Sequence, residues 1–358
     1  MPLSAFPSNR GLRHEQDLIG LKIACLVWAP FSDRMDELAE AVGGHRKNFH
    51  LGYLPRYLAP MKYLYFFAVT QAYLFREKPA VVYAQNPPVF CPLACVPYCR
   101  ITHSKLVVDH HNIWSVKVFG ASRLAYPFRL LERLLGLFAD INTVPHTVWK
   151  EGLQRLSFRR VMTVHDYVEA NRFSRDQEAR SRISSVGLIG IASGHQGYPL
   201  ERVEAEALGA EAVDGLALVI TGPPARLAPR IKALGELRNV KYLGYLPKDE
   251  YDRTKASCDF ALNITDEPFT LNHVLFEYAA ARLPTISTRR EVIEAVFGDA
   301  LVYVEESTAS AVAEKLRFLC ADRAVLNQYR ERMSLKFSDL TESRRREIEY
   351  LKDLLNDK

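Results

Sequence analysis

The chain has 358 residues, 48% hydrophobic and 25% charged, a globular balance with length for two cores. No run of about 18 uncharged apolar residues occurs, and the longest candidate, LYFFAVTQAYLF at 64–75, is too short to span a membrane. The net charge of +5 is uneven: residues 1–168 hold 20 Lys/Arg against 12 Asp/Glu, +8, which leaves −3 for the remainder.

The N-terminus, MPLSAFPSNRGLRHEQDLIG, lacks a basic region followed by an apolar run, so it does not read as a signal peptide. LKIACLVWA (21–29) predicts a strand, and DRMDELAEAV (33–42) a helix with Ser32 as its N-cap. Between Ala41 and Val108 the only acidic residue is Glu77, against eight Lys/Arg, a bias that calls for an anionic partner: a lipid surface, a phosphorylated substrate or nucleic acid. Within it, RYLAPMKYLYFFAVTQAYLFREK (56–78) combines basic ends with seven aromatic residues. It reads either as a helix lying in a membrane interface or as a core helix of the first domain.

AVVYA (80–84), KLVVD (105–109) and INTV (141–144) predict further strands, the last preceded by an amphipathic helix at 122–138. Cys91, Cys95 and Cys99 share one helical stripe; with no fourth ligand and no C-x-x-C knuckle, a small-residue packing face is preferred to a metal site. All six cysteines read as reduced thiols of a cytoplasmic protein. The polar stretch at 169–184 reads as a connection between a first domain, 1–168, and a second, 185–335, with a last segment at 336–358 expected to pack back towards the first.

The strand pattern restarts at 186–191, 216–221, 239–243, 260–264 and 284–287, with helices at 200–208, 309–320, 323–335 and 342–355. Strands alternating with helices predict α/β architecture, two parallel-sheet domains of Rossmann type facing a cleft. Ligands of such sheets bind beyond the carboxyl ends of the strands. There lies GIASGHQGY (190–198), whose Gly190, Ser193, Gly194 and His195 suit a loop that admits phosphate or one that only connects. Its spacing is neither G-x-G-x-x-G nor a P-loop. Further on, Thr270, His273 and Glu277 are spaced i, i+3, i+7, one face of a predicted helix opposite Leu271, Leu275 and Tyr278. A carboxylate there either accepts the hydroxyls of a ribose or pairs with Arg282 or Arg289.

The segment FTLNHVLFEYAAARLPTIS resembles the donor-binding segment of retaining GT-B glycosyltransferases, family 4 in particular, whose pattern runs L-P-N-K-L-F-E-Y-M-A-A-G-K-P-V-I. LFEYAA (275–280) and Leu283-Pro284 match it directly, and the similarity extends over most of 185–320. The resemblance implies the GT-B fold, a nucleotide-sugar donor on the second domain, Glu277 on the donor ribose, and Thr270, Asn272 and His273 beside it. In the first half, VVYAQNPPVFCPLA and KLVVDHHNIW are similar to segments of the dolichol-linked chitobiose mannosyltransferase family, with its Q-N-P-P and D-W-H-N turns. His111 matches the histidine of the latter, which implies a place at the reaction centre, unless it is a loop histidine capping the next helix; His110 replaces the tryptophan. Ser32, Arg34, Asn86, Asp109 and His110 are the accompanying acceptor-side candidates.

The sequence also departs from the family. Glu267 lies ten residues before Glu277, where the family's glutamates are eight apart. The lysine of L-P-N-K is Val274, and the arginine and lysine of the first C-terminal loop are missing. No D-x-D occurs in a plausible loop, so no metal or other cofactor is expected. The function expected is transfer of a sugar from a UDP- or GDP-sugar to a glycan or lipid-linked acceptor in surface polysaccharide or glycoconjugate synthesis, at the inner face of a membrane and without nucleic acid. A degenerate binding scaffold and a nucleotide-sugar epimerase on the same architecture are the alternatives. Family 4 implies retention of anomeric configuration, the mannosyltransferases inversion.

Overall fold

A computed structural model describes residues 20–52, 56–111, 126–169, 172–173, 188–193, 200–222 and 237–357. The first sheet has strands β1 (Ile23–Val27), β2 (His45–Asn48), β3 (Val81–Asn86), β4 (Lys105–His110), β5 (Ile141–Val144) and β6 (Val161–Thr163), in the order β2-β1-β3-β4-β5-β6. The second has β7 (Leu188–Ser193), β8 (Leu216–Thr221), β9 (Val240–Gly244), β10 (Phe260–Asn263), β11 (Thr285–Thr288) and β12 (Val302–Val304), in the order β12-β11-β10-β7-β8-β9. Every pairing is parallel. This is the expected α/β architecture of two Rossmann-like domains. In each sheet the strand order reverses beside the first strand, between β1 and β3 and again between β7 and β10, which is where an open sheet leaves a crevice.

Helices α1 (Asp33–Ala41), α2 (Ala59–Glu77), α3 (Phe90–Thr102), α4 (Tyr126–Phe138) and α5 (Thr147–Arg155) belong to the first domain. The second holds α6 (Leu200–Glu211), α7 (Lys248–Ser257), α8 (Val274–Ala280), α9 (Glu291–Phe297) and α10 (Ala309–Ala321). The predicted helices at 323–335 and 342–355 are one helix of 34 residues, α11 (Arg323–Asn356). It joins the two domains: Met333 and Leu340 lie in the second core, while Ile348, Leu351 and Leu355 lie in the first. The Lys105 ammonium donates to the carbonyl of Leu354 at 2.8 Å on the same side. The intervening polar residues look like a break in sequence, yet no Gly or Pro interrupts them, so the helix continues.

Strands β2 and β6 escape a search for apolar runs. The former, HRKN, is an edge strand with alternate residues exposed, and the latter is three residues long. The cysteine stripe is buried: Cys91, Cys95 and Cys99 line α3 against the first sheet, and burial pushes the Cys99 thiol up to about 12.

Segment 56–78 supplies a core helix, as one of its readings expects, and leaves a second, apolar side exposed. Phe66, Thr70 and Leu74 of α2 face the core, Thr70 accepting the Trp28 indole N–H at 3.1 Å, while Met61, Leu64, Tyr65, Phe67 and Phe75 are exposed.

Gly190 sits inside β7, paired to Leu218 and Phe260, with the Phe260 ring lying where a side chain would be. A Cβ there would come within 2.1 Å of the ring. Gly190→Ala is therefore expected to destabilise the second domain by about 1–3 kcal/mol through overpacking. Urea unfolding checks this, and an unchanged midpoint would mean that Phe260 yields freely.

Candidate active site

At the carboxyl edge of the first sheet the chain buries an arginine. Ser32 caps α1 by accepting the Met35 N–H, and two residues into the helix Arg34 points inward, 3% exposed. Its guanidinium grips Asp109, near the end of β4, through Nε at 2.9 Å and Nη2 at 2.8 Å. Nη1 donates to Asp166, just beyond β6, at 2.6 Å. Thr143 donates to the same Asp109 carboxylate at 2.9 Å. Burial disfavours the charge on Arg34, but the two carboxylates outweigh it and raise its pKa. Such a group survives in the core only because every charge is paired and hydrogen-bonded.

Asp166 is held from two further directions. Glu347 of α11 accepts the His165 backbone N–H at 2.9 Å and pairs with the His165 ring at 2.6 Å. Arg344 donates to the His165 carbonyl at 2.6 Å. Across the cleft, His273 of the second domain brings Nδ1 within 3.5 Å of Asp166, and its Nε2 lies 4.0 Å from Glu37 of α1. Burial opposes a charged ring at His273, yet the hydrogen bond and charge of Asp166, with Glu277 and Glu37, raise its pKa to about 9. Asp166 is also opposed by burial, and Arg34 and His273 hold it well below the ordinary carboxylate range. Burial lifts Glu37 to about 7, partly offset by His273. At neutral pH the cleft thus contains a cationic imidazole between one ionised carboxylate and one that titrates.

The paired histidines separate. The His110 ring is buried, its Nδ1 3.2 Å from the Asn86 amide nitrogen and its Nε2 2.9 Å from the Asn142 carbonyl oxygen, so the amides fix a neutral tautomer with Nε2 protonated. His111 follows β4; desolvation by the protein around its ring lowers its pKa, with the charges of Arg34 and His273 acting in the same direction and those of Asp166 and Asp109 against it. A neutral imidazole there can accept a proton.

In the second domain α8 has seven residues and begins at Val274, so Thr270 lies in the preceding loop and not on a helical face with Glu277. The cause is local: Asn272 donates to the Asn263 side chain at 2.8 Å and ties the loop to the end of β10. Leu275 and Tyr278 are buried as the spacing predicts. Glu277 pairs with neither Arg282 nor Arg289. Its carboxylate accepts the Lys255 ammonium at 2.7 Å, and Arg172 stands at 3.7 Å. Lys255 is wholly buried, also pairs with Asp252 at 3.2 Å, and lies over the Tyr251 ring. Ser193 closes β7, while Gly194 and His195 lie outside the described residues.

Sequence reasoning missed Glu37, Asp166, Arg172 and Lys255. Asp166 follows a strand too short to be recognised. Lys255 sits on a polar helix and meets Glu277 across 22 residues of sequence, which helical spacing does not reveal. Among the described residues no group of three or more His, Cys, Asp or Glu is arranged to hold a metal ion.

Residues 203–351 match a family model described as glycosyl transferase-like. No curated protein sequence matches the chain. Anabaena HepE, in a structure with UDP and glucose, superposes with a TM-score of 0.70 at 13% identity over 93% of this chain and 100% of its own. Sucrose-phosphate synthase from Thermosynechococcus elongatus gives 0.75 at 14%, covering 94% and 99%. A putative UDP-N-acetylglucosamine 2-epimerase from Listeria monocytogenes gives 0.61 at 12%, covering 87% and 90%. The chain has the GT-B fold of these structures, and its residues 203–351 are glycosyl transferase-like.

Lys255→Met should cost about 3–5 kcal/mol, because Glu277 and Asp252 would be left with Arg172 alone. The double variant Lys255→Met/Glu277→Met should recover part of that loss. Thermal or urea unfolding of both decides it; a Lys255→Met protein as stable as the parent would show that Arg172 suffices.

Proposed function

We propose that the protein transfers a sugar from a UDP- or GDP-sugar to a glycan or lipid-linked acceptor, without a metal ion, in surface polysaccharide or glycoconjugate synthesis. What carries the reading is the opposition of two edges across one cleft. Glu277 and His273 flank the strand-order reversal of the second sheet, and His111, Asp109 and Arg34 occupy the matching edge of the first. The donor nucleotide is placed on the second domain, its ribose at Glu277. The acceptor is placed on the first domain, its hydroxyl near His111, which takes up or orients the proton. The UDP bound in the HepE structure supports a nucleotide-sugar donor.

A second reading, a GT-B binding scaffold, draws on Glu277 being already paired with Lys255 and Arg172. An epimerase draws on the Listeria likeness. A transferase slowly hydrolyses its donor, a scaffold leaves it intact, and an epimerase alters the sugar while retaining the nucleotide.

Two substitutions test the assignment. Glu277→Gln should weaken donor binding about ten- to hundredfold, since a hydrogen bond to a charged group contributes about 1.5–3 kcal/mol. His111→Ala should lower kcat about 10²-fold while the donor still binds. Calorimetry and turnover read these separately, with thermal melting as the check on folding. Unchanged affinity in the first or normal turnover in the second removes that residue from the site.

The exposed apolar side of α2, with the exposed Tyr126, Leu130, Leu134 and Leu137 of α4, supports attachment to an anionic membrane. Lys62, Arg76 and Lys78 lie along the same helix end to end. Each basic residue near an anionic surface contributes about 1 kcal/mol, so several give reversible attachment. Binding to anionic liposomes at low salt and release as salt rises are the expected outcomes. Equal partition to neutral and anionic vesicles, or none to either, would contradict the electrostatic component.

A further inference from the structure

We infer that Asp166 of the first domain is a positioning residue for the donor site, setting the orientation and charge of His273 so that its Nε2–H faces the diphosphate of a nucleotide sugar. The inference rests on the donor placement proposed above and extends it to a residue on the other side of the cleft.

Other cations of the described cleft are already paired. Arg34 is shared between Asp109 and Asp166. Arg172 and Lys255 serve Asp252 and Glu277. Arg202 and Arg290 both pair with Asp266. His273 differs. Its Nδ1 is directed at Asp166, whereas its Nε2, at 4.0 Å from Glu37, is beyond hydrogen-bond distance of that carboxylate. A histidine held through one nitrogen by a carboxylate presents the other in a defined direction. His273 also lies in the loop that leaves β10, at the strand-order reversal, one turn before Glu277. The lysine and arginine that resembling enzymes bring to the diphosphate are missing from the sequence. A cationic His273 supplies a charge of the required sign beside the proposed ribose site.

Asp166 is the group able to set that charge. It is buried and ionised, and its own position is fixed by Arg34, which Asp109 anchors, and by the grip of Arg344 and Glu347 on His165. The groups facing His273 are Asp166, Glu37 and Glu277, with the neutral His111 nearby; Arg34 and Arg344 stand behind the carboxylates. Glu37 titrates near neutrality, so Asp166 is the carboxylate that keeps the ring charged at neutral pH. The sign follows. A histidine raised to about 9 stays cationic through neutral pH and loses its charge as pH rises through 9. Removing the Asp166 charge moves that loss down into the neutral range.

The test uses full-length protein labelled at histidine, with the His273 resonance assigned by its loss in His273→Gln. UDP-glucose and GDP-mannose serve as probes, since their diphosphates carry fixed charge across the range. In the parent, His273 should titrate near 9, with probe affinity level from pH 6 to 8. In Asp166→Asn the midpoint should fall by about two units or more. Affinity at pH 8 should drop about tenfold and recover towards pH 6. His273→Lys in the Asp166→Asn background, whose charge is independent of Asp166, should restore affinity at pH 8. Should Asp166→Asn melt below the assay temperature, Glu37→Gln provides a smaller shift of the midpoint in the same direction. A midpoint unmoved in Asp166→Asn, or a fall in affinity that His273→Lys leaves unrepaired, overturns the inference. If the parent binds neither probe, the donor placement itself fails and the inference with it. The NMR titration, which needs no ligand, tells that failure apart from an error about Asp166.

Discussion

One buried guanidinium organises the cleft. Arg34 joins α1, β4 and the segment beyond β6 by bonding Asp109 and Asp166 at once. Both carboxylates are buried, and the cost of leaving one unpaired is what fixes the geometry. Because Asp166 also faces His273, the pairing reaches from the first domain into the second. Helix α11 reinforces the junction by gripping His165 and by burying its last turns in the first core.

The two edges of the cleft are built on opposite principles. On the first-domain side, His110, Asn86 and Asn142 form a neutral, closed hydrogen-bond chain that leaves His111 outside it. On the second-domain side, Glu277, Lys255, Asp252 and Arg172 form a dense ionic cluster just below the surface. A carboxylate held between two cations is rigid, so it can accept hydroxyl donors without moving. The same pairing makes Glu277 important to folding, which is why binding and stability must be measured together on any Glu277 variant.

Most of the architecture was legible in the sequence because parallel strands buried on both faces are continuous apolar runs, as at Ile141–Val144 and Leu216–Thr221, where the predicted and observed bounds coincide. What escaped were the polar edge strand β2, the three-residue strands β6 and β12, and the short helices α5, α7 and α9. For the site, the sequence pointed to Glu277, His273, His111, Asp109 and Arg34, but it could not show who pairs with whom. Ion pairs spanning 75 residues for Arg34 with Asp109, and 132 for Arg34 with Asp166, leave no local pattern. The helical spacing of Thr270, His273 and Glu277 misled for a related reason, since a tether from Asn272 to Asn263 holds the first part of that segment as a loop.

Under the proposed function, a nucleotide diphosphate binds on the second domain, against the cleft, between Glu277 and His273. A crystal structure of the protein soaked with UDP tests it most directly. The account predicts the ribose hydroxyls within hydrogen-bond distance of the Glu277 carboxylate and a phosphate oxygen within reach of His273 Nε2. Nucleotide bound elsewhere on the molecule, or a ribose turned away from Glu277 with the Lys255 pair undisturbed, would contradict it.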